Sequence, residues 1–186
     1  MSKKLIFFFI TVLTFRAFSF EISLSETKEP DLEIEEMIEF IEEWSSYIYN
    51  DEELPEVEFA SSETVKIYSY GDYAYAQAEH NGQSLPEINA VYDRHNNKIF
   101  ISESIKKDLN KVNVALIHEL VHYMQDIDGY TDSLGEKYLI CSESEAFDIQ
   151  ILWQIINEVE LDHIDSYRQD SLISAMKCKG SPFANF

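Results

Sequence analysis

Hydrophobic and polar positions follow two different periods along the chain, and these periods separate predicted helices from predicted strands. Between Leu32 and Tyr49, apolar residues recur every three or four positions and acidic residues cover the opposite side, a pattern typical of an amphipathic helix. The Glu-Val-Glu-Phe run at 56–59 alternates and predicts a short strand. Val91-Tyr92 and Ile99-Phe100-Ile101 flank a turn rich in Asn and Asp, which predicts a β-hairpin.

The remaining segments are mostly helical in pattern. Ser61 or Ser62 can cap a helix that runs to Tyr70, although the β-branched residues that follow suit a strand equally well. Residues 73–87 are weakly patterned, and we expect a loop there, with a strand as the alternative. Three further helices are predicted, over 112–127 with Gly129 as its stop, over 142–159 and over 166–176. This order predicts an α+β fold in which a small sheet with a hairpin packs on a helical core.

Composition and charge exclude some functional classes. The chain has 35 Asp and Glu against 14 Lys and Arg, a net charge of −21. A surface this negative repels phosphate backbones and anionic lipids, so we expect neither a nucleic-acid partner nor a membrane-surface role. The hydrophobic content of 45% is high enough to form a core, which argues against wholesale disorder.

The N-terminal residues have the pattern of an export signal. Two lysines precede an apolar stretch at 5–15, and Ala17 and Ser19 supply the small residues of a cleavage site. The apolar stretch is shorter than the roughly 20 residues that span a membrane. We therefore predict a signal peptide at 1–19, a polar linker at 20–31 and a single domain at 32–186.

Export changes the interpretation of the two cysteines. The protein is expected in the periplasm or outside the cell, with no membrane association once the signal is removed. Cys141 and Cys178 both lie in the mature part of the chain. In an oxidising compartment an even pair of cysteines favours one disulfide, which here would join these two residues.

The most informative motif lies in the helix predicted over 112–127. His118-Glu119-Leu120-Val121-His122 is an H-E-x-x-H sequence, and residues at i and i+4 lie one turn apart on the same face of a helix. Both imidazoles can therefore reach one zinc ion, with Glu119 beside them as a general base rather than a ligand. The helix is apolar enough to be buried, and three polar groups there would be costly to desolvate without a partner.

A zinc hydrolase site needs a third protein ligand. No further histidine follows at the short H-x-x-G-x-x-H spacing. Glu143 and Glu145 are the next candidates, because both open a second helix about twenty residues beyond His122. A loop of this length lets the second helix pack against the first.

With these motifs, the segment 88–157 resembles the gluzincins, which are zincin metallopeptidases with H-E-x-x-H on one helix and a glutamate ligand on the next. The resemblance implies a minimal zincin-like domain, a zinc ion and a peptide or protein substrate. The gluzincin pattern E-x-x-A-D would make Glu143 the ligand, and the pattern E-A-x-x-D would make it Glu145. The chain departs from both, with Phe147 and Ile149 where they have Asp.

Helical geometry favours Glu143 over Glu145. Glu143 shares a face with Ala146, Phe147 and Gln150, whereas Glu145 shares a face with apolar residues. We therefore expect His118, His122 and Glu143 to hold the metal. Glu119 would take a proton from the attacking water and return it to the leaving amine.

The resemblance implies further roles that the residues themselves leave open. In gluzincins an edge strand above the metal helix binds an extended peptide, and either Ala90-Val91-Tyr92 or Ile99-Phe100-Ile101 could be that strand. His163 or Tyr167 would be an oxyanion-stabilising group, and Asp148 or Gln150 could orient an imidazole. His95 is expected to be solvated in a turn, and His80 to lie in a polar loop. The alternative function is a non-catalytic zincin-fold module that binds a metal or a partner.

Overall fold

The structure, a computed structural model, describes residues 32–130 and 138–160, with side chains from 32–130 and 141–160. The predicted signal peptide, the linker and the helix at 166–176 lie outside these residues. The described residues form five α-helices, one 3-10 turn and three strands: α1 (Ile34–Trp44), β1 (Glu56–Ala60), α2 (Ser62–Tyr70), α3 (Asp72–His80), β2 (Ala90–Asp93), β3 (Lys98–Ser102), the 3-10 turn (Glu103–Ile105), α4 (Leu109–Ile127) and α5 (Tyr138–Ile156).

The sheet is mixed and its order is β1-β3-β2. The predicted hairpin is present, since β2 pairs antiparallel with β3, while β1 pairs parallel with the other side of β3. Because β3 is central, Ile99-Phe100-Ile101 cannot offer a free edge to a peptide. That alternative is wrong, and among the described strands β2 is the edge strand on the hairpin side.

Helices cover both faces of the sheet. Ile99 and Ile101 point into the main core, which α1, α4 and α5 complete. Phe100 points to the other face, where it joins Val65 of α2 in a smaller cluster. Successive side chains of β3 are therefore buried on opposite faces of the sheet, and this explains why Ile99-Phe100-Ile101 is a continuous apolar run in the sequence. The predicted α+β fold is confirmed.

Helix α4 is the centre of the molecule. Eleven of its 19 residues are buried, and it makes its most extensive contacts with α5 and also packs on β2 and β3. Asp108 caps it by accepting a hydrogen bond from the Lys111 N–H, so the helix begins three residues earlier than predicted. In the described parts of the chain, no helix combines the length and apolarity that crossing a membrane requires.

Two predicted segments need correction. Residues 73–87 were expected to be a loop or strand, but 72–80 form α3; Ala78 is its only buried residue, so the segment has no apolar stripe to reveal it. The first helix ends at Trp44 instead of Tyr49, because Ser45 is extended. Ile48, which the periodicity placed on the apolar face, is 62% exposed.

Candidate metal centre

Helix α4 places the two histidines and the glutamate of the H-E-x-x-H motif at the base of a cleft. His118 and His122 lie one turn apart, and their rings meet edge to face with centroids 4.9 Å apart. His118 and Glu119 are only 9% and 8% exposed, and Leu116, Ile117 and Leu120 around them are fully buried. The rigid, buried helix therefore fixes the backbone of all three polar residues.

Helix α5 brings Glu143 to the same point. The Nε2 atoms of His118 and His122 lie 3.3 Å apart, and each lies 3.4 Å from one carboxylate oxygen of Glu143. Donor atoms about 2.0–2.1 Å from a tetrahedral centre are separated by about 3.3 Å, so these spacings fit one ion of the size of zinc. Among the described residues, this is the group of His, Cys, Asp and Glu side chains that could hold a metal.

Each imidazole is backed by a glutamine amide. Nδ1 of His122 lies 2.9 Å from Oε1 of Gln125, and Nδ1 of His118 lies 3.1 Å from Oε1 of Gln150. An amide oxygen only accepts hydrogen bonds, so each Nδ1 is the protonated nitrogen. In the neutral form of each imidazole, the lone pair of Nε2 is therefore directed to the position between the rings and Glu143, as metal binding requires.

The charges of the three groups are strongly coupled. Burial lowers the pKa of His122, but the hydrogen bond to Glu143 and the charge of Glu119 outweigh it and raise the pKa to about 9. Burial also disfavours the Glu143 anion, yet hydrogen bonds from both imidazoles hold the pKa of this carboxyl well below its usual range. A negative site that binds a proton so tightly without metal is also attractive to a divalent cation.

Glu119 is anchored to the edge strand. The backbone N–H of Tyr92 in β2 donates to Oε2 of Glu119 at 2.8 Å. In the antiparallel pairing of β2 with β3, Tyr92 lies opposite Ile99 at a position where the two residues do not hydrogen-bond to each other. The Tyr92 N–H therefore points away from β3, while the backbone of Ile99 is directed to β1. The carboxylate is therefore held beside the metal position by a backbone group and is not one of the clustered ligands.

Glu145, the other candidate ligand, lies elsewhere. It is 2% exposed, and its carboxylate accepts hydrogen bonds from the hydroxyls of Tyr47 and Tyr130 and from the Gln125 amide. Burial and the negative charge of Glu145 raise the pKa of Tyr47 above its usual range, which keeps this hydroxyl protonated as a donor. Glu145 therefore faces the interior on the side of His122 opposite Glu143.

The site opens into a cleft of about 900 Å³. The outward edge of β2 forms one wall, and Phe147 and Ile151 of α5 form part of the other. At one end of the cleft, Arg94 pairs with Asp126 at 3.0 Å. The arrangement offers a metal position with an open approach, a carboxylate beside it and a strand edge along the side.

The other sequence candidates divide into three groups. Gln150 contacts His118, whereas Asp148 is not among the described residues that line the cleft. His95 is exposed, as expected. His80 is also exposed, but it is the last residue of α3 and not part of a loop. His163 and Tyr167 lie outside the described residues.

Two contributors to the site were not anticipated from the sequence. Gln125 lies three residues after His122 on the same helix, so helical spacing could have identified it. The Tyr92 N–H is a backbone group and leaves no sequence signal.

Cys141 is 2% exposed, while Cys178 is outside the described residues, so the disulfide stays a prediction.

The chain matches no protein-family model, no curated protein and no solved structure.

Proposed function

We propose that this protein is a zinc-dependent metallopeptidase of the gluzincin type. The observation that carries the proposal is the convergence of two Nε2 atoms and the Glu143 carboxylate within 3.3–3.4 Å of one another, with Glu119 beside them. Two histidines and one glutamate form a ligand set of catalytic zinc sites, which keep a fourth position open. Cys and Met ligands, which select softer metals, do not take part in this cluster.

When bound, zinc would polarise the substrate carbonyl and acidify a water molecule at neutral pH. Glu119 supplies the proton transfers. The Tyr92 N–H holds Oε2, so Oε1 retains its lone pairs to accept a proton from the attacking water. Glu119 then passes this proton to the nitrogen of the leaving amine as the peptide bond breaks.

The free edge of β2 supports a peptide substrate. Tyr92 and Ala90 occupy the register positions whose N–H and C=O groups point away from β3, and both residues line the cleft. The Tyr92 N–H is already bonded to Glu119. An extended peptide can therefore pair with both backbone groups of Ala90 and with the Tyr92 C=O, by strand addition beside the metal position.

The proposal also includes export. Residues 1–19 have the lysines, apolar stretch and small residues of a signal peptide, so the peptidase would act in the periplasm or outside the cell. Its substrates would then be peptides or proteins of that compartment.

Metal content and peptide cleavage test this proposal together. The protein is purified without chelators, its metals are measured by mass spectrometry, and cleavage of a mixed peptide library is followed for the wild type, Glu119→Gln and the exposed control Glu39→Gln. One zinc per chain in all three, with cleavage lost only in Glu119→Gln, supports the peptidase. Zinc without cleavage in the wild type would favour the non-catalytic binding module, and a protein without zinc would contradict the metal site and the peptidase built on it.

A further inference from the structure

Gln125 is a buried amide that no step of the proposed reaction uses. Its side chain is 0% exposed, and its Oε1 accepts a hydrogen bond from Nδ1 of His122 at 2.9 Å. The residue lies on α4, one turn beyond His122. A buried amide is costly unless both its oxygen and its nitrogen are satisfied, so the partners of its nitrogen decide what it does.

The nitrogen of Gln125 is fixed by α5. Nε2 donates to the Ser142 carbonyl at 3.1 Å and to Oε2 of Glu145 at 3.3 Å. Both acceptors lack a hydrogen to donate, so a flipped amide would place its oxygen against two oxygens and its NH₂ against Nδ1–H. Only one amide orientation satisfies all partners, and it presents the oxygen to His122.

Glu145 is the unusual member of this network. It is a carboxylate that is 2% exposed, and among the described residues its hydrogen-bond donors are the neutral groups of Tyr47, Tyr130 and Gln125. His118 provides a comparison, because its backing chain runs through Gln150 and Gln154 to a backbone carbonyl without a carboxylate. Among the described residues, an acidic side chain therefore lies behind the imidazole of His122 and not behind that of His118.

We propose that Gln125 and Glu145 are a positioning pair for His122. Glu145 fixes the Gln125 amide, and Gln125 in turn fixes the tautomer and the ring orientation that direct Nε2 of His122 to the metal. The inference rests on the proposed metal site. It differs from a purely structural role, in which Glu145 would only join α5 to Tyr47 and Tyr130.

A reciprocal exchange of the two side chains tests the pair. Gln125→Glu alone places two carboxylates together, and Glu145→Gln alone puts an NH₂ group in place of one of the two accepting oxygens that Tyr47, Tyr130 and Gln125 share. The double variant with both changes restores a donor and an acceptor: the new carboxylate accepts from Nδ1–H, and the new amide donates to it. Gln125→Met removes the amide altogether, and Gln77→Met on the exposed surface of α3 is the matched control.

Zinc affinity of the full metal-free chain is the first readout, measured by competition with a chromophoric chelator at one fixed pH. We expect each single change, including Gln125→Met, to weaken zinc binding by about 10–100-fold, as loss of a group that orients a ligand does. The double variant should recover part of the loss, because it restores the acceptor for Nδ1–H of His122 but not the hydrogen bond to the Ser142 carbonyl. Nitrogen NMR of the zinc-loaded chain should show Nδ1–H on His122 in the wild type and in the double variant.

Two results would overturn the pair. In the first, Gln125→Met binds zinc as tightly as Gln77→Met. In the second, all three Gln125 and Glu145 single variants lose thermal stability while zinc affinity is unchanged, which assigns the network a structural role only. A wild-type chain that binds no zinc would refute the metal site itself, whereas a wild type that binds zinc without cleaving peptides leaves the affinity comparison decisive.

Discussion

At the scale of single residues, a proton and a metal ion compete for the same nitrogen of His122. Glu143 and Glu119 raise the pKa of His122 to about 9 despite its burial, so the metal-free site is protonated at neutral pH. Metal binding requires the neutral imidazole and therefore displaces this proton. We expect about one proton to be released per zinc bound at pH 7.5, and the zinc affinity to rise with pH up to about 9.

Calorimetry in two buffers with different ionisation enthalpies measures this proton release. An exposed histidine does not contribute, so His95→Gln should release the same number of protons as the wild type. Zinc binding that is independent of pH between 6.5 and 8.5 would contradict the coupling between His122 and Glu143.

Glu143 and Glu145 are chemically identical and two positions apart, yet replacing each with alanine should have a different effect on zinc binding and stability. The Glu143 side chain is 48% exposed on the cleft, so we expect Glu143→Ala to abolish tight zinc binding and to cost less stability than Glu145→Ala, limited to the loss of its pairing with the two imidazoles. Glu145→Ala leaves the hydroxyls of buried Tyr47 and half-buried Tyr130 without their acceptor, and leaves the Gln125 amide only the Ser142 carbonyl, which should cost about 1–3 kcal/mol or more in the free energy of unfolding. Urea denaturation of the metal-free variants measures the difference, and equal losses of stability would contradict it.

At the scale of elements, the contact between β2 and α4 should set the position of the general base. Proline at position 92 removes the N–H that holds Glu119 but breaks no ladder bond to β3, because this N–H points outward. We expect Tyr92→Pro to lower kcat by roughly 10–100-fold, as for a displaced catalytic group, with zinc content unchanged. Tyr92→Ala removes the same side chain and keeps the N–H, so it is the control; an equal loss of kcat in both would refute the backbone role.

Some of the helices and strands could be predicted from the pattern of apolar residues, and others could not. Helix α4 carries a broad apolar stripe, so its presence and the pairing of His118 with His122 followed from helical spacing alone. The faces of α5 separated Glu143 from Glu145 for the same reason. The pattern could not reveal α3, which buries only Ala78, or the order of the strands, which depends on the parallel pairing of β1 with β3. Contacts between distant segments, such as Tyr47 with Glu145, leave no local pattern at all.

At the scale of the whole molecule, a net charge of −21 surrounds a site whose cleft is also acidic. Glu87, Asp108, Asp126 and Glu160 line it together with the site carboxylates, against the cations Arg94 and Lys111. Two of these acids are already paired with those cations, Asp126 with Arg94 and Asp108 with Lys111. The long-range field of the whole surface, more than any one contact, should therefore attract cationic peptides and repel anionic ones.

This field predicts a preference that salt removes. For peptides with the same cleavable core and flanks of lysine, serine or glutamate, we expect kcat/KM at low ionic strength to be highest for lysine, by about tenfold or more over glutamate. Because the Debye length falls to about 3 Å at 1 M salt, the difference should shrink to within about twofold there. The serine peptide is the control, since its kcat/KM should barely change with salt. A lysine preference that persists at 1 M salt would instead place the selectivity in a direct contact with a carboxylate of the cleft, because short-range pairs are screened much less than the surface field.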